Sequence, residues 1–362
     1  MSPRTELIVA GGGTGGHVLA GVAIADAWKQ AHQNSDVLFV GAQGGIEERL
    51  VPRAGYALKK LRIGSLNRVS LSRRLLTLVQ LPGSFLASAW ILLKERPRAV
   101  IGVGGYASGP LVLLARLLGW MWGAQVAVLE QNAVPGMTNR ILARFAHKVL
   151  LAFPVGKGLF KEHKTKVTGN PVRAQLQSLP QVKREPFTVF IFGGSQGAMG
   201  INTLVLEALP LLQDLRAKIR WIHQTGEKDL ERVRKSYEAA GIDGRVEAFI
   251  HDMGSCYSQA SLVVCRAGSS TLSELAAVKR ASVLVPFPFA SDNHQEKNAR
   301  IFSERGAAEL FIQGKAKGED LASLIRDMIQ NPNRLAKMEA AVAQLSRPNA
   351  AQEIVRELEG SA

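Results

Sequence analysis

Residues 7–20 read "LIVAGGGTGGHVLA", an apolar run, a glycine-rich stretch and then a series of helix formers. That order predicts a strand, a tight turn and a helix, the opening unit of a parallel α/β sheet. Gly11-x-Gly13-x-x-Gly16 has the spacing at which backbone amides approach a pyrophosphate at the positive end of a helix. A dinucleotide site also requires an acidic residue at the end of the second strand, about 20 residues on. The second apolar run, Val37-Leu38-Phe39-Val40, ends instead in Gly41-Ala42-Gln43-Gly44, and Asp36 stands at its beginning. A nicotinamide or flavin cofactor therefore loses most of its support. The turn also closes on His17, where an aliphatic residue is usual, so an imidazole stands at the mouth of a phosphate-type loop.

Outward from this turn, short apolar runs alternate with helical stretches, which predicts parallel sheets covered on both faces. The expected strands are 6–10, 37–40, 57–62, 99–103, 125–129 and 148–152, then 187–192, 219–223, 245–249, 262–265, 281–285 and 308–312. Each set makes a Rossmann-like unit. A length of 362 residues fits two such domains, and the polar stretch 167–186 supplies the linker. The expected division is 1–168 and 169–346, with a final helix over 347–362 packing back on the first domain. Ligands of open α/β sheets lie at the carboxyl ends of strands. Four of those ends are glycine-rich: 11–16, "GVGGYASG" at 102–109, "FGGSQGA" at 192–198 and "CRAGSSTLSE" at 265–274. No G-x-x-x-x-G-K-[ST] loop occurs, which disfavours nucleoside triphosphate hydrolysis.

The net charge of +15 is concentrated in residues 1–170, which hold 21 Lys and Arg against 8 Asp and Glu. This predicts an anionic partner for the first half. A helix-turn-helix, zinc finger or aromatic RNA-binding pattern is missing, so the expectation is no nucleic acid. Cys256 and Cys265 form neither a CxxC pair nor part of a His/Cys cluster, so neither a disulfide framework nor a metal site is expected. No signal-peptide pattern precedes the first strand, in keeping with a cytoplasmic chain. From Leu75 to Leu93, "LLTLVQLPGSFLASAWILL" carries no charge over 19 positions. Pro82-Gly83 and the interspersed polar residues argue against a membrane span, and predict a broken helix pair partly exposed to lipid. Arg68, Arg73, Arg74, Lys94, Arg96 and Arg98 would meet headgroups, with Trp120 and Trp122 alongside.

The ordered motifs "GGGTGGH", "GVGGYASGP", "EQNAVPGMTNR", "GNPVR", "FGGSQGA", "CRAGSSTLSE" and "PFPFASDNHQEKNA" resemble the MurG family of bacterial glycosyltransferases over nearly the whole chain. The resemblance implies the GT-B fold, two Rossmann-like parallel-sheet domains facing across a cleft. It implies inverting transfer of N-acetylglucosamine from UDP-N-acetylglucosamine to lipid I (undecaprenyl-pyrophosphoryl-MurNAc-pentapeptide), giving lipid II, without a metal or other cofactor. The site would be the cytoplasmic face of the inner membrane, with an anionic membrane surface and proteins of cell-wall synthesis and division as partners.

Carried onto this chain, the resemblance places the donor on Ser195, on Ser269, Ser270, Thr271, Leu272 and Ser273, and on Ile250, whose backbone meets uracil. Glu274 takes the ribose hydroxyls, although three residues after Thr271 it is also spaced as a helix capping box. Gln295 and Asn298 take the sugar hydroxyls, and Arg173 meets the diphosphate as charge develops on it. Thr14, Gly15, Gly16 and Asn132 also come near the donor. Gly102, Gly104, Gly105, Ser108 and Gly109, with Thr14 to Gly16, would cradle the acceptor's pyrophosphate. An alcohol needs a base to become a nucleophile. His17 is the first candidate, with capping of the turn or phosphate binding as its other uses, and Glu130, Tyr106 and Asn132 stand behind it. Relatives often carry His where this chain has Leu129. The rivals are another GT-B lipid glycosyltransferase, a UDP-N-acetylglucosamine 2-epimerase, and a non-catalytic nucleotide-sugar scaffold.

Overall fold

A computed structural model of the chain describes residues 4–64, 70–154, 158–179 and 185–360. The chain divides into two compact units, Met1–Arg173 with Arg347–Ala362, and Ala174–Ser346. The division falls after Arg173 rather than after 168. Thr168 and Gly169 both donate backbone hydrogen bonds to the Leu151 carbonyl, which keeps this stretch with the first unit.

The first unit is built on seven parallel strands: β1 (Arg4–Gly11), β2 (Ser35–Ala42), β3 (Ala57–Leu61), β4 (Ala99–Gly104), β5 (Gln125–Glu130), β6 (Lys148–Leu151) and β7 (Thr165–Val167), in the order β3-β2-β1-β4-β5-β6-β7. β1 is apolar at consecutive positions because both faces of the sheet are covered. Leu7 and Val9 join Val37, Phe39, Ala99 and Ile101 in one core, while Ile8 and Ala10 join Leu38, Val40, Val100 and Val128 in the other. The first core is closed by the helix Gly15–Ala31 and by Ile354, Val355 and Leu358 of the terminal helix Ala350–Glu359. Ion pairs at the rim tie that helix down, Glu357 to Lys148 at 3.1 Å and to Lys166 at 2.8 Å. The strand β7, absent from the expected strands, ends where the stretch expected to be a linker begins. Its Thr165 and Lys166 are tolerated because it is the edge of the sheet and pairs only with β6.

The expected break at Pro82-Gly83 does not occur. Leu71–Glu95 is one helix with Pro82 inside it. Pro82 and Leu78 are both exposed, so the Leu78 carbonyl that loses its helical partner lies on a solvent-facing turn. The Ser84 hydroxyl donates to the Arg62 carbonyl at 2.7 Å and fastens the helix beyond the proline. Of the basic residues assigned to headgroups, Arg68 and the side chains of Arg73 and Arg74 lie outside the described residues.

The second unit repeats the plan with β8 (Phe187–Phe192), β9 (Ile219–Gln224), β10 (Gly244–Glu247), β11 (Leu262–Cys265), β12 (Ser282–Leu284) and β13 (Glu309–Leu310), all parallel, in the order β10-β9-β8-β11-β12-β13. Val189, Ile191, Trp221, Val264 and Val283 pack against the helices Met199–Ala208 and Gly318–Gln330. In both sheets the first strand of the unit has neighbours reached by connections leaving in opposite directions, β2 and β4 around β1, β9 and β11 around β8. The crevice at such a switch point is where open α/β sheets bind ligands. The four glycine-rich turns of the sequence are the turns that flank these two crevices.

Candidate active site

At the first switch point the turns after β1 and β4 interlock. Gly12 N–H donates to the Gly104 carbonyl at 3.1 Å, and a Cβ on Gly11 would overlap that same oxygen. Gly104 and Gly105 have φ of +107° and +84°, a backbone region natural only to glycine, and a Cβ on Gly105 would strike the Gly12 carbonyl. Thr14 is the N-cap of the helix Gly15–Ala31, its hydroxyl accepting from His17 N–H at 3.4 Å. Capping is thus done by Thr14, not by the His17 side chain. His17 Nδ1 lies 2.9 Å from the Gly12 carbonyl oxygen. A carbonyl only accepts, so the imidazole proton sits on Nδ1 and Nε2 is the basic nitrogen. The ring lies over Gly104, where an alanine Cβ would be 2.8 Å from Nε2. The positive end of the helix disfavours imidazolium and suits a neutral ring.

Other residues of this unit tie its loops together. Gly102 is buried within β4, and a side chain there would meet Val112 at 2.9 Å, so its smallness serves packing. Ser108 is fully buried with its hydroxyl donating to the Gly105 carbonyl at 2.7 Å. Gly109 N–H closes a turn on the Tyr106 carbonyl at 3.1 Å, and Tyr106 itself is half-buried beside it. Glu130 is 2% exposed. Its carboxylate accepts from Asn132 N–H at 2.9 Å, Gly136 N–H at 3.0 Å and Asn139 Nδ2 at 2.9 Å. Burial pushes this carboxyl up while those donors favour the charged form. The group locks the 131–136 loop, with Asn132 half-buried on it. Sequence reasoning missed Glu47, which is 1% exposed and accepts from Gly13 N–H at 3.0 Å and Ala42 N–H at 2.7 Å.

At the second switch point the turn 193–197 exposes Ser195 ahead of the helix Met199–Ala208. A second helix, Ser269–Val278, starts beyond β11 with Gly268 as its N-cap. Thr271 therefore lies inside the helix and the capping-box alternative for Glu274 falls away. Glu274 is half-buried and receives the Tyr257 hydroxyl at 3.0 Å. Ser269 and Ser270 stand in the first turn, while Leu272 is core and Ser273 donates back to the Ser269 carbonyl at 2.9 Å. Ile250 N–H is taken up by Gln224 Oε1 at 2.9 Å, and Gln224 Nε2 donates to the Gly194 carbonyl at 2.9 Å. This amide, absent from the sequence-based candidates, braces the glycine turn against the 248–250 loop. Ile250 then has its carbonyl to offer a base.

Beneath it, His223 is fully buried between Asn202 Oδ1 at 3.0 Å and the Tyr237 hydroxyl at 3.2 Å, and burial drives its pKa down to about 3. Gln295 Oε1 accepts from Phe287 N–H at 2.9 Å, which aims its amide nitrogen elsewhere. Asn298 is fully buried and donates to the Ala267 carbonyl at 3.2 Å, so it supports the 267–271 turn. Arg173 is half-buried at the last position of the first unit.

The profile of the glycosyltransferase family 28 N-terminal domain matches residues 7–151, and that of the C-terminal domain matches 188–354. The chain is similar to the UDP-N-acetylglucosamine–N-acetylmuramyl-(pentapeptide) pyrophosphoryl-undecaprenol N-acetylglucosamine transferase of Myxococcus xanthus, 44% identical over 352 residues that cover 96% of this chain and 91% of the relative. The transferase of the same name from Syntrophus aciditrophicus is 42% identical over 353 residues, 97% of each chain. Among solved structures, MurG of Acinetobacter baumannii superimposes with a TM-score of 0.78 at 31% identity, covering 99% of this chain and all (100%) of that one. The UDP-GlcNAc 2-epimerase of Neisseria meningitidis reaches 0.68 at 13% identity over 99% of this chain and 100% of that one, a likeness of fold alone.

Proposed function

The chain belongs to the MurG family within glycosyltransferase family 28, and we propose that it transfers N-acetylglucosamine from UDP-N-acetylglucosamine to the muramoyl sugar of lipid I, forming lipid II for peptidoglycan. The observation that carries this is identity of 44% along 352 residues to a transferase of that name. The site supplies the parts. In the second unit, the turn with Ser195 and the first turn of Ser269–Val278 present amides and hydroxyls suited to a diphosphate. Glu274 takes the ribose, the Ile250 carbonyl takes uracil N3–H, and the Gln295 amide nitrogen reaches a sugar hydroxyl. In the first unit, the first-turn amides of Gly15–Ala31 and the Gly105 turn hold the acceptor's pyrophosphate.

The acceptor hydroxyl attacks the anomeric carbon as its proton passes to His17 Nε2. The anomeric C–O bond to UDP breaks, and UDP leaves with the electron pair, its charge met by Arg173 and the helix amides. The expected result of incubating the protein with radiolabelled UDP-N-acetylglucosamine and a lipid I analogue in EDTA is label in the lipid product. UDP binding without transfer would leave the scaffold reading in its place, and transfer that returns only with a divalent ion would overturn the metal-free route.

We also propose that the chain works as a peripheral protein on an anionic membrane. Leu75–Glu95 is long and apolar enough to span, with mean hydropathy 1.6, but it is the crossover helix between β3 and β4. Its polarity is inverted. Thr77, Ser84 and Ser88 are buried, while Leu76, Val79, Leu86 and Trp90 are 56%, 77%, 73% and 59% exposed. The Lys59 and Lys94 ammonium groups stand 5.3 and 5.0 Å from the Trp90 ring centre, as an aromatic anchor flanked by cations at a headgroup layer would be. Trp120 is exposed as well, whereas Trp122 turns inward and donates to the Pro97 carbonyl at 2.9 Å. Replacing Val79, Leu86 and Trp90 together with Ser is expected to reduce co-sedimentation with vesicles containing anionic lipid and to leave UDP affinity unchanged. Undiminished sedimentation would sink this reading.

A further inference from the structure

Glu47 is a buried charged group for which the transfer chemistry just described has no use. It opens the helix Glu47–Arg53, yet its carboxylate serves no amide of that helix. Oε1 accepts from Ala42 N–H at 2.7 Å and Oε2 from Gly13 N–H at 3.0 Å. The chain makes room for it from two sides, since a Cβ on Gly12, Gly41 or Gly45 would overlap the Glu47 side chain. A carboxylate placed here at the cost of three side chains calls for a role beyond closing a loop.

The N–H of Gly13 and the carbonyl of Gly12 belong to one peptide group. The N–H is held by Glu47, and the carbonyl accepts from His17 Nδ1 at 2.9 Å. We propose that Glu47 is a positioning residue that acts on His17 through this peptide group, an inference that rests on His17 being the base. Accepting from the N–H, the carboxylate fixes the peptide plane and polarises it, which strengthens the carbonyl as an acceptor, the mutual reinforcement expected of hydrogen bonds in series. The stronger acceptor holds the imidazole proton on Nδ1 and keeps Nε2 as the nitrogen that receives the acceptor's proton. The arrangement parallels a carboxylate that orients a catalytic histidine directly, with one peptide unit interposed.

The test is Glu47→Gln in the full chain, read in two independent ways. Nitrogen-15 NMR of histidine-labelled protein, with His17 assigned by its loss in His17→Gln, gives the tautomer of the neutral ring. In the wild type it is Nδ1–H, and in Glu47→Gln, whose amide must turn an NH₂ toward a backbone N–H, it moves toward Nε2–H. kcat falls about 10- to 100-fold, the range for loss of a partner that orients a functional imidazole, while UDP affinity holds. Should Glu47→Gln not fold, Glu47→Asp keeps the charge but is too short to reach both amides, and the same shift is expected of it. A wild-type tautomer in the variant overturns the proposal, whatever happens to kcat. A shifted tautomer with unchanged kcat supports the coupling of Glu47 to His17 and overturns His17 as the base.

Discussion

Alanine at position 17 is expected to lower kcat for transfer by about 10²- to 10⁴-fold, the contribution of a general base, with UDP affinity little changed. The sugar hydroxyl is a poor nucleophile while it keeps its proton, and His17 brings an imidazole whose Nδ1 proton is committed to the Gly12 carbonyl. Ser195, Ile250 and Glu274, the residues proposed to hold the donor, lie in the other unit. His17→Asn is the sharper control. Its amide nitrogen takes the place of Nδ1 and can still donate to Gly12, but nothing at the distal position can take a proton, so it should fail as alanine does. The competing roles predict other outcomes. A cap would show as lost stability, and that task already falls to the Thr14 hydroxyl. A phosphate ligand would show as a raised acceptor KM with kcat retained. Steady-state kinetics on a lipid I analogue separates the three.

How far this site can be read from the sequence depends on whether its residues answer to neighbours in the chain or to distant ones. The glycine turns are legible because the strand before and the helix after each of them are local, and the two switch points follow from strand order. Glu47 is not legible. In "GGIEERL" it reads as the solvated first turn of a charged helix. Its burial comes from Gly12 and Gly13, more than thirty positions away, closing over it. Glu130 errs in the opposite sense. A carboxylate at the end of a strand near the crevice invites a catalytic role, and only the folded 131–136 loop shows its oxygens already engaged. Asn298 likewise has the right residue type but faces the protein interior. Proline misled at position 82 because its penalty depends on whether the carbonyl it strands is buried, and there it is exposed. β7 was hidden by polar residues that an edge strand can carry.

Gly104→Ala is expected to reduce transfer about 100-fold, the scale of a misplacement of about 1 Å at a reacting group, with a stability loss of about 1–3 kcal/mol. Two constraints act at once. The φ of +107° is one that alanine adopts only under strain, and the new methyl would stand 2.8 Å from His17 Nε2 and 3.0 Å from Cε1. The backbone cannot retreat freely, since the Gly104 carbonyl accepts from Gly12 N–H at 3.1 Å and Gly11 packs on the same oxygen. The imidazole is the part that can give way, and turning it aside breaks the bond from Nδ1 to Gly12 that sets the tautomer. Activity should therefore fall by much more than the loss of folded protein explains. Thermal melting and kcat measured on the same preparation show the disparity. A variant that melts a few degrees lower yet transfers at the wild-type rate would mean that the ring's place over Gly104 does not matter to the reaction. UDP affinity should again be unaffected. A drop in kcat at constant UDP affinity would then place Gly104 beside His17 as a residue of the proton-transfer step, selected for what it leaves out.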